Sequence, residues 1–147
     1  MQIHKKIEKI IHTEIPLSTH MGISIERFNE DGIVVKAPLE PNINHKNTAF
    51  GGSLYNVSVL TGWAMVYGIL LKNSINAHVV IQHSEIDYIA AIKSDIIAEC
   101  KTPTKEVMEK FITTFYKRGK SRINLNVQID TEQKIAVRFS GKYVIHR

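Results

Sequence analysis

The sequence predicts an α+β fold in which a curved antiparallel sheet wraps around one long helix, and three observations predict it. Residues 49–71 run for 23 positions without Asp, Glu, Lys, Arg or His. Strand-like segments rich in β-branched residues flank that run on both sides. At 147 residues and 44% hydrophobic, the chain can bury one sizeable core, so a single domain over 1–147 is expected.

An uncharged run of that length raises the question of a membrane span. Ser53, Asn56, Ser58 and Thr61 interrupt it, glycines sit at 51, 52 and 62, and no second such segment exists. The expectation is instead a helix buried on all sides by a sheet.

The other elements follow in order. Residues 1–12 read as an amphipathic helix, with Ile3, Ile7, Ile10 and Ile11 on one face and lysines interleaved, ended by the Ile15-Pro16 step. This interleaving is unlike a signal peptide. Residues 23–28 and 33–39 form a predicted hairpin about Asn29-Glu30-Asp31-Gly32. Strands are expected at 78–89, 95–101, 122–130 and 135–145. A helix is expected over 104–116, opened near Thr102-Pro103, with Val107, Met108, Phe111, Ile112 and Phe115 as its packing stripe. An uncharged helix among so many strands must be enclosed by a curved antiparallel sheet, which is the hotdog arrangement. Such units generally pair, so a homodimer or larger assembly is expected.

Composition narrows the function. A lone cysteine, Cys100, cannot form an internal disulfide, and it lies in an apolar strand pattern, so a buried thiol in a reducing cytoplasm is expected. The formal charge is +5, with the excess late in the chain. Lys110, Lys117 and Arg118 are candidate docking residues for an acidic carrier protein or for nucleotide phosphates. No aromatic platform accompanies them, so nucleic acid is not expected as a partner. His83, Glu85 and Asp87 alternate on one strand face. That spacing, without a matching Cys or His cluster, is read as a solvated face and no metal site is expected.

The most informative segment is the polar loop that leads into the long helix, from Asn42 through His45 and Thr48 to Phe50-Gly51-Gly52-Ser53. Two glycines at a helix start let a ligand approach bare backbone, where the first amides have no intrahelical acceptor and favour negative charge.

Pro41-Asn42-Ile43-Asn44, Thr48-Ala49-Phe50-Gly51-Gly52-Ser53-Leu54 and Gly62-Trp63 resemble the YiiD C-terminal, thioesterase-like family of hotdog proteins. Further matches are Ser84-Glu85-Ile86, Tyr88, Ala98-Glu99-Cys100, Gly119 and Arg122-Ile123. The resemblance implies an enzyme acting on acyl thioesters. Members are labelled thioesterases, and the activity implied is decarboxylation of malonyl carried on acyl carrier protein, which primes fatty acid synthesis. The family's key asparagine falls on Asn44, with Asn42 the second match.

Residue chemistry separates the two reactions. Hydrolysis needs water activated by a base, or a carboxylate nucleophile. Ser58, Val59, Leu60 and Ala64, two turns and more into the helix, offer neither. Decarboxylation needs hydrogen bonds to a developing enolate oxygen, which Asn44 and the amides of Gly52 and Ser53 would supply as the catalytic set. Asn42, His45, Thr48, Phe50, Gly51 and Glu85 are the candidate substrate contacts. Asn44 also suits a loop cap, and Thr48 a helix cap. No cofactor is expected beyond the coenzyme A or acyl-carrier thioester itself. Two rivals stand beside this reading: a thioesterase borrowing Glu85 or His45 as base, and a non-catalytic acyl-thioester binding module.

Overall fold

The computed structural model describes residues 1–147. Its elements are α1 (Ile3–Glu14), α2 (Leu17–Met21), β1 (Ser24–Asn29), β2 (Gly32–Ala37), α3 (Gly51–Lys72), β3 (His78–Tyr88), β4 (Ile96–Lys101), α4 (Lys105–Arg118), β5 (Lys120–Thr131) and β6 (Lys134–His146), with a 3-10 turn at Glu40–Asn42. The six strands form one sheet in the order β1-β2-β4-β5-β6-β3, each neighbouring pair antiparallel. This is the hotdog fold, with α3 enclosed by the sheet.

Strict alternation of buried and exposed residues along β4 and β5 marks a sheet with one face on the core and one in solvent. The inner face meets α3. That helix is buried on most of its circumference: 67% of its most apolar window lies inside the fold, which accounts for its lack of charge. Its buried hydroxyls are satisfied locally, Ser58 donating to the Leu54 carbonyl at 2.8 Å and Thr61 to that of Val57 at 2.6 Å. Neither is free to act on a ligand.

Close packing explains Gly62. Tyr143 is fully buried and donates its hydroxyl to the Val59 carbonyl at 2.7 Å, lying directly against the bare Cα of Gly62. Burial, with minor help from Cys100 and Tyr55, holds the Tyr143 phenol well above its ordinary range. Cys100 is completely buried and its thiol is pushed up to about 12, first by burial and then by the Glu99 charge. A thiol in that state is inert as a nucleophile, as expected of a structural cysteine.

The sheet has two edges, and the chain treats them differently. At β1, Glu8 of α1 accepts from the Ile25 amide at 2.8 Å, and His12 Nε2 meets the Ile23 carbonyl at 2.7 Å. Helix α1 thus occupies that end of the sheet, with Ile7 and Ile11 sealed beneath it. No element covers the free edge of β3. Beside it, α3 shows its one half-exposed stripe: Tyr55, Asn56, Val59, Trp63, Tyr67 and Leu71. Trp63 and Tyr67 stack at 5.1 Å, and the Trp63 indole donates to the Val79 carbonyl of β3 at 3.1 Å.

Three local expectations are corrected. Helix α1 continues to Glu14, because only Ile15 must leave helical geometry before Pro16. The segment after Pro16, read as a loop, is the short helix α2, closed by Gly22 at φ 73°. The cap of α4 is Thr104, whose hydroxyl accepts from the Val107 amide at 3.2 Å, and not Thr102 or Pro103.

Candidate functional site

The loop before α3 is held by its own side chains. A bridge between Ile43 and Ala49 closes it at the base, and Asn47 takes a left-handed conformation at φ 62°. Within it, the Asn44 carbonyl oxygen Oδ1 accepts from the amides of Lys46 at 2.9 Å and Thr48 at 3.1 Å, while Nδ2 donates to Thr48 Oγ1 at 2.9 Å. Asn44 therefore has the geometry of a loop cap, and one amide hydrogen remains unspent. Thr48 is tied to Asn44 and does not cap α3. His45 is exposed and points from the loop into solvent.

Asn42 has a different environment. It is only 2% exposed and spends both amide hydrogens on main-chain carbonyls, those of Met21 at 2.9 Å and Pro38 at 2.7 Å. Its main-chain carbonyl accepts from the Phe50 amide at 2.7 Å. Such a residue clamps α2, the end of β2 and the start of α3 together, and its Oδ1 is buried without a partner.

Helix α3 begins without a side-chain cap. The amides of Gly51, Gly52 and Ser53 find no acceptor in the chain; Leu54 is the first to bond, to the Phe50 carbonyl at 3.0 Å. Two aromatic rings roof the bare backbone. A Cβ on Gly51 would stand 3.6 Å from the Tyr88 ring, and one on Gly52 would collide with Phe50. Both residues are 54% exposed. Tyr88 also donates its hydroxyl to the Gly51 carbonyl at 3.1 Å. Sequence reasoning missed Tyr88 as part of the mouth; its place at the end of a strand that runs back along α3 was the available signal.

Glu85 is not brought to this mouth. Ser84 faces inward, its hydroxyl 2.7 Å from that of Tyr55 on α3. Its neighbour Glu85 therefore lies on the opposite, outer face. It is exposed there and sits 3.8 Å from His83. The open stripe of α3 carries no carboxylate at all. No cluster of three or more His, Cys, Asp or Glu residues has metal-binding geometry. Lys110 and Arg118 line a cleft beside β5, whereas Lys117 lies off it on the solvent side of α4.

A family model described as "Putative thioesterase (yiiD_Cterm)" matches residues 4–147. The chain belongs to the YiiD C-terminal thioesterase family. A crystal structure of a protein of unknown function from Chlorobaculum tepidum is 37% identical, covers 99% of this chain and 94% of that one, and superposes with a TM-score of 0.94. The "putative thioesterase" of Shewanella oneidensis is 29% identical with a TM-score of 0.85, covering 99% and 98% of the two chains. A protein of Pseudomonas aeruginosa described as a probable thioesterase, 17% identical with a TM-score of 0.77 over 97% and 94% of the chains, shares the fold. Membership in the YiiD C-terminal family makes this an acyl-thioesterase-like hotdog protein, with acyl thioesters as its substrate class.

Proposed function

We propose that the protein decarboxylates a malonyl thioester, carried on acyl carrier protein or coenzyme A, to the acetyl thioester. One observation carries this reading. The mouth of α3 offers three unpaired amides behind the loop that carries Asn44, yet no carboxylate on the open stripe of the helix. Hydrogen-bond donors without a base suit a reaction that develops an oxyanion and needs no activated water.

In the reaction, the bond between the malonyl methylene and its carboxylate breaks and carbon dioxide leaves. The electron pair passes into the thioester, whose oxygen becomes an enolate. The amides of Gly52 and Ser53 and the free Nδ2 hydrogen of Asn44 stabilise that oxygen, and a solvent proton completes the methyl group. Phe50 and Tyr88, as aromatic walls, disfavour the charged carboxylate and so favour its loss. Losing one such donor typically costs about 3 kcal/mol in barrier. Asn44→Ala should therefore lose roughly 100-fold in turnover at unchanged fold, and His45→Ala should be much milder. Full activity in a folded Asn44→Ala protein would transfer the chemistry elsewhere.

The site is completed by a second copy of the chain. The uncovered β3 edge and the adjacent apolar stripe of α3 suit twofold antiparallel pairing of β3 with itself, joining two sheets. Charge supports the same arrangement. On the outer face, Lys120 and Arg122 stand toward the His78 end of β3 and Lys142 opposite its middle, while Glu85 and Asp87 lie toward the Tyr88 end with Arg138 opposite Asp87. Antiparallel pairing sets Lys120 and Arg122 of each copy toward Glu85 and Asp87 of the other. Exposed cations of α4 then attract the acidic carrier.

A further inference from the structure

The loop that carries Asn44 is closed by its main chain. At its base, the Asn44 amide donates to the Thr48 carbonyl at 2.8 Å and the Phe50 amide to the Asn42 carbonyl at 2.7 Å, which together make the Ile43–Ala49 bridge. The Asn47 amide turns back to the Asn44 carbonyl at 3.1 Å. Asn44 Oδ1 adds the amides of Lys46 at 2.9 Å and Thr48 at 3.1 Å, and with two lone pairs it is then saturated. These contacts hold the backbone without the Thr48 side chain.

The bond left over runs from side chain to side chain, Asn44 Nδ2 donating to Thr48 Oγ1 at 2.9 Å. It joins no segments that the main chain does not already join. What it fixes is the carboxamide. The last torsion of an asparagine side chain is broad, but the amide group itself is planar. Anchoring Oδ1 on one side and one Nδ2 hydrogen on the other therefore sets the plane, and with it the direction of the second hydrogen. A flipped amide would turn its NH2 group against the Lys46 and Thr48 N–H groups, donor against donor. Threonine suits the task because its β-branch restricts χ1, so Oγ1 stays in place. Both side chains are half-buried. We propose, resting on the decarboxylase reading above, that Thr48 is a positioning residue: its hydroxyl oxygen holds the Asn44 carboxamide so that the free Nδ2 hydrogen meets the developing enolate oxygen. Thr48 then acts through Asn44, and is not the substrate contact expected from the sequence.

Steady-state kinetics on malonyl-coenzyme A tests this. Thr48→Val keeps the shape of the side chain and removes the acceptor. It should lower kcat about fivefold to tenfold, the worth of one neutral hydrogen bond, and change KM less than about twofold, because the contact it supports forms in the transition state. Thr48→Ser restores the oxygen and should recover most of the loss. In an Asn44→Ala background Thr48→Val should cost nothing further, since the group it positions is gone. Thr48→Ala serves if valine lowers the melting temperature. An unchanged kcat in Thr48→Val, a serine variant as impaired as the valine one, or a rise in KM alone would each overturn the proposal. So would an equal loss in the Asn44→Ala background, which would make Thr48 a substrate contact in its own right.

A readout without catalysis separates this inference from the reading beneath it. The Asn44 side-chain amide protons, identified by NMR through their loss in Asn44→Ala, should exchange with water about fivefold faster in Thr48→Val than in wild type. Equal exchange in the two proteins would overturn the positioning role whatever the reaction. A wild type that leaves malonyl-coenzyme A intact, or a fully active Asn44→Ala protein, would overturn the decarboxylase reading and the catalytic consequence drawn from it, while the exchange rates would still report whether Thr48 holds Asn44.

Discussion

Replacing Gly62 by alanine tests how closely α3 is gripped by the sheet. The added Cβ would lie 2.5 Å from Tyr143 Cζ and 2.6 Å from Cε2, with the hydroxyl oxygen nearer still. Tyr143 is fully buried, so its ring cannot swing into solvent. Overpacking of this kind costs about 1–3 kcal/mol, and displacing the hydroxyl from the Val59 carbonyl adds about 1 kcal/mol. Alanine's better helix propensity returns about 1 kcal/mol. The balance is a loss of about 1–3 kcal/mol, or a Tm lower by roughly 3–10 °C. Denaturation at fixed protein concentration, so that assembly does not confound the comparison, measures it. Tyr143→Phe removes the nearest clashing atom, so the double variant should be more stable than additivity predicts by about 1 kcal/mol. A Gly62→Ala protein as stable as wild type, or more so, would mean that propensity outweighs packing and would refute the contact.

Other expectations follow from the same structure. Cys100 is raised from 9.0 to about 12 in the folded chain. Its contribution to stability is therefore whole below about pH 9 and is lost as pH rises toward 12, with Tyr143 adding to the loss above about pH 10. A thiol reagent at pH 8 should label Cys100 only on unfolding, and rapid labelling of native protein would contradict its burial. Light scattering should find a dimer or larger assembly, and Trp63→Glu, which places a charge in the open stripe of α3, should shift it toward monomer; a monomeric wild type at micromolar concentration would remove the shared seam. Decarboxylation by amide donors should vary little between about pH 6 and 8, whereas a steep change abolished by His45→Ala would assign the chemistry to imidazole.

The fold was legible because its signals are long. A helix free of charge up to its last residue, yet interrupted by Ser, Asn and Thr, reads as a core helix, and β5 alternates over almost its whole length, so burial and periodicity agree. What escaped the sequence was set by distant partners. Helix α2 is only five residues and is held by Ser18, whose hydroxyl donates to the Ile11 and Ile15 carbonyls. The β5–β6 turn falls in the gap between the two expected strands, but its type was hidden, because Glu132 and Gln133 hold positive φ where glycine or asparagine would have announced it.

The site divides in the same way. The glycine pair and the uncapped amides could be read from local spacing. The resemblance ranked Asn44 above Asn42, but what each side chain bonds, Asn42 three backbone segments and Asn44 its own loop, is set by what folds around them. Glu85 was read both as part of a solvated strand face and as a substrate contact, and strand alternation against Ser84 decides for the outer face. The cations of α4 were recognised without Lys120 and Arg122, which join them only because β4 ends early and leaves room for the helix.

Mass analysis of the products formed from malonyl, acetyl and longer acyl thioesters tests the central claim most directly. Malonyl thioester should lose carbon dioxide and become the acetyl thioester with its sulfur bond intact, while the simple acyl thioesters persist. Rapid release of free thiol from acetyl or longer acyl carriers, with malonyl carrier left unchanged, would contradict the account and make the protein a hydrolase.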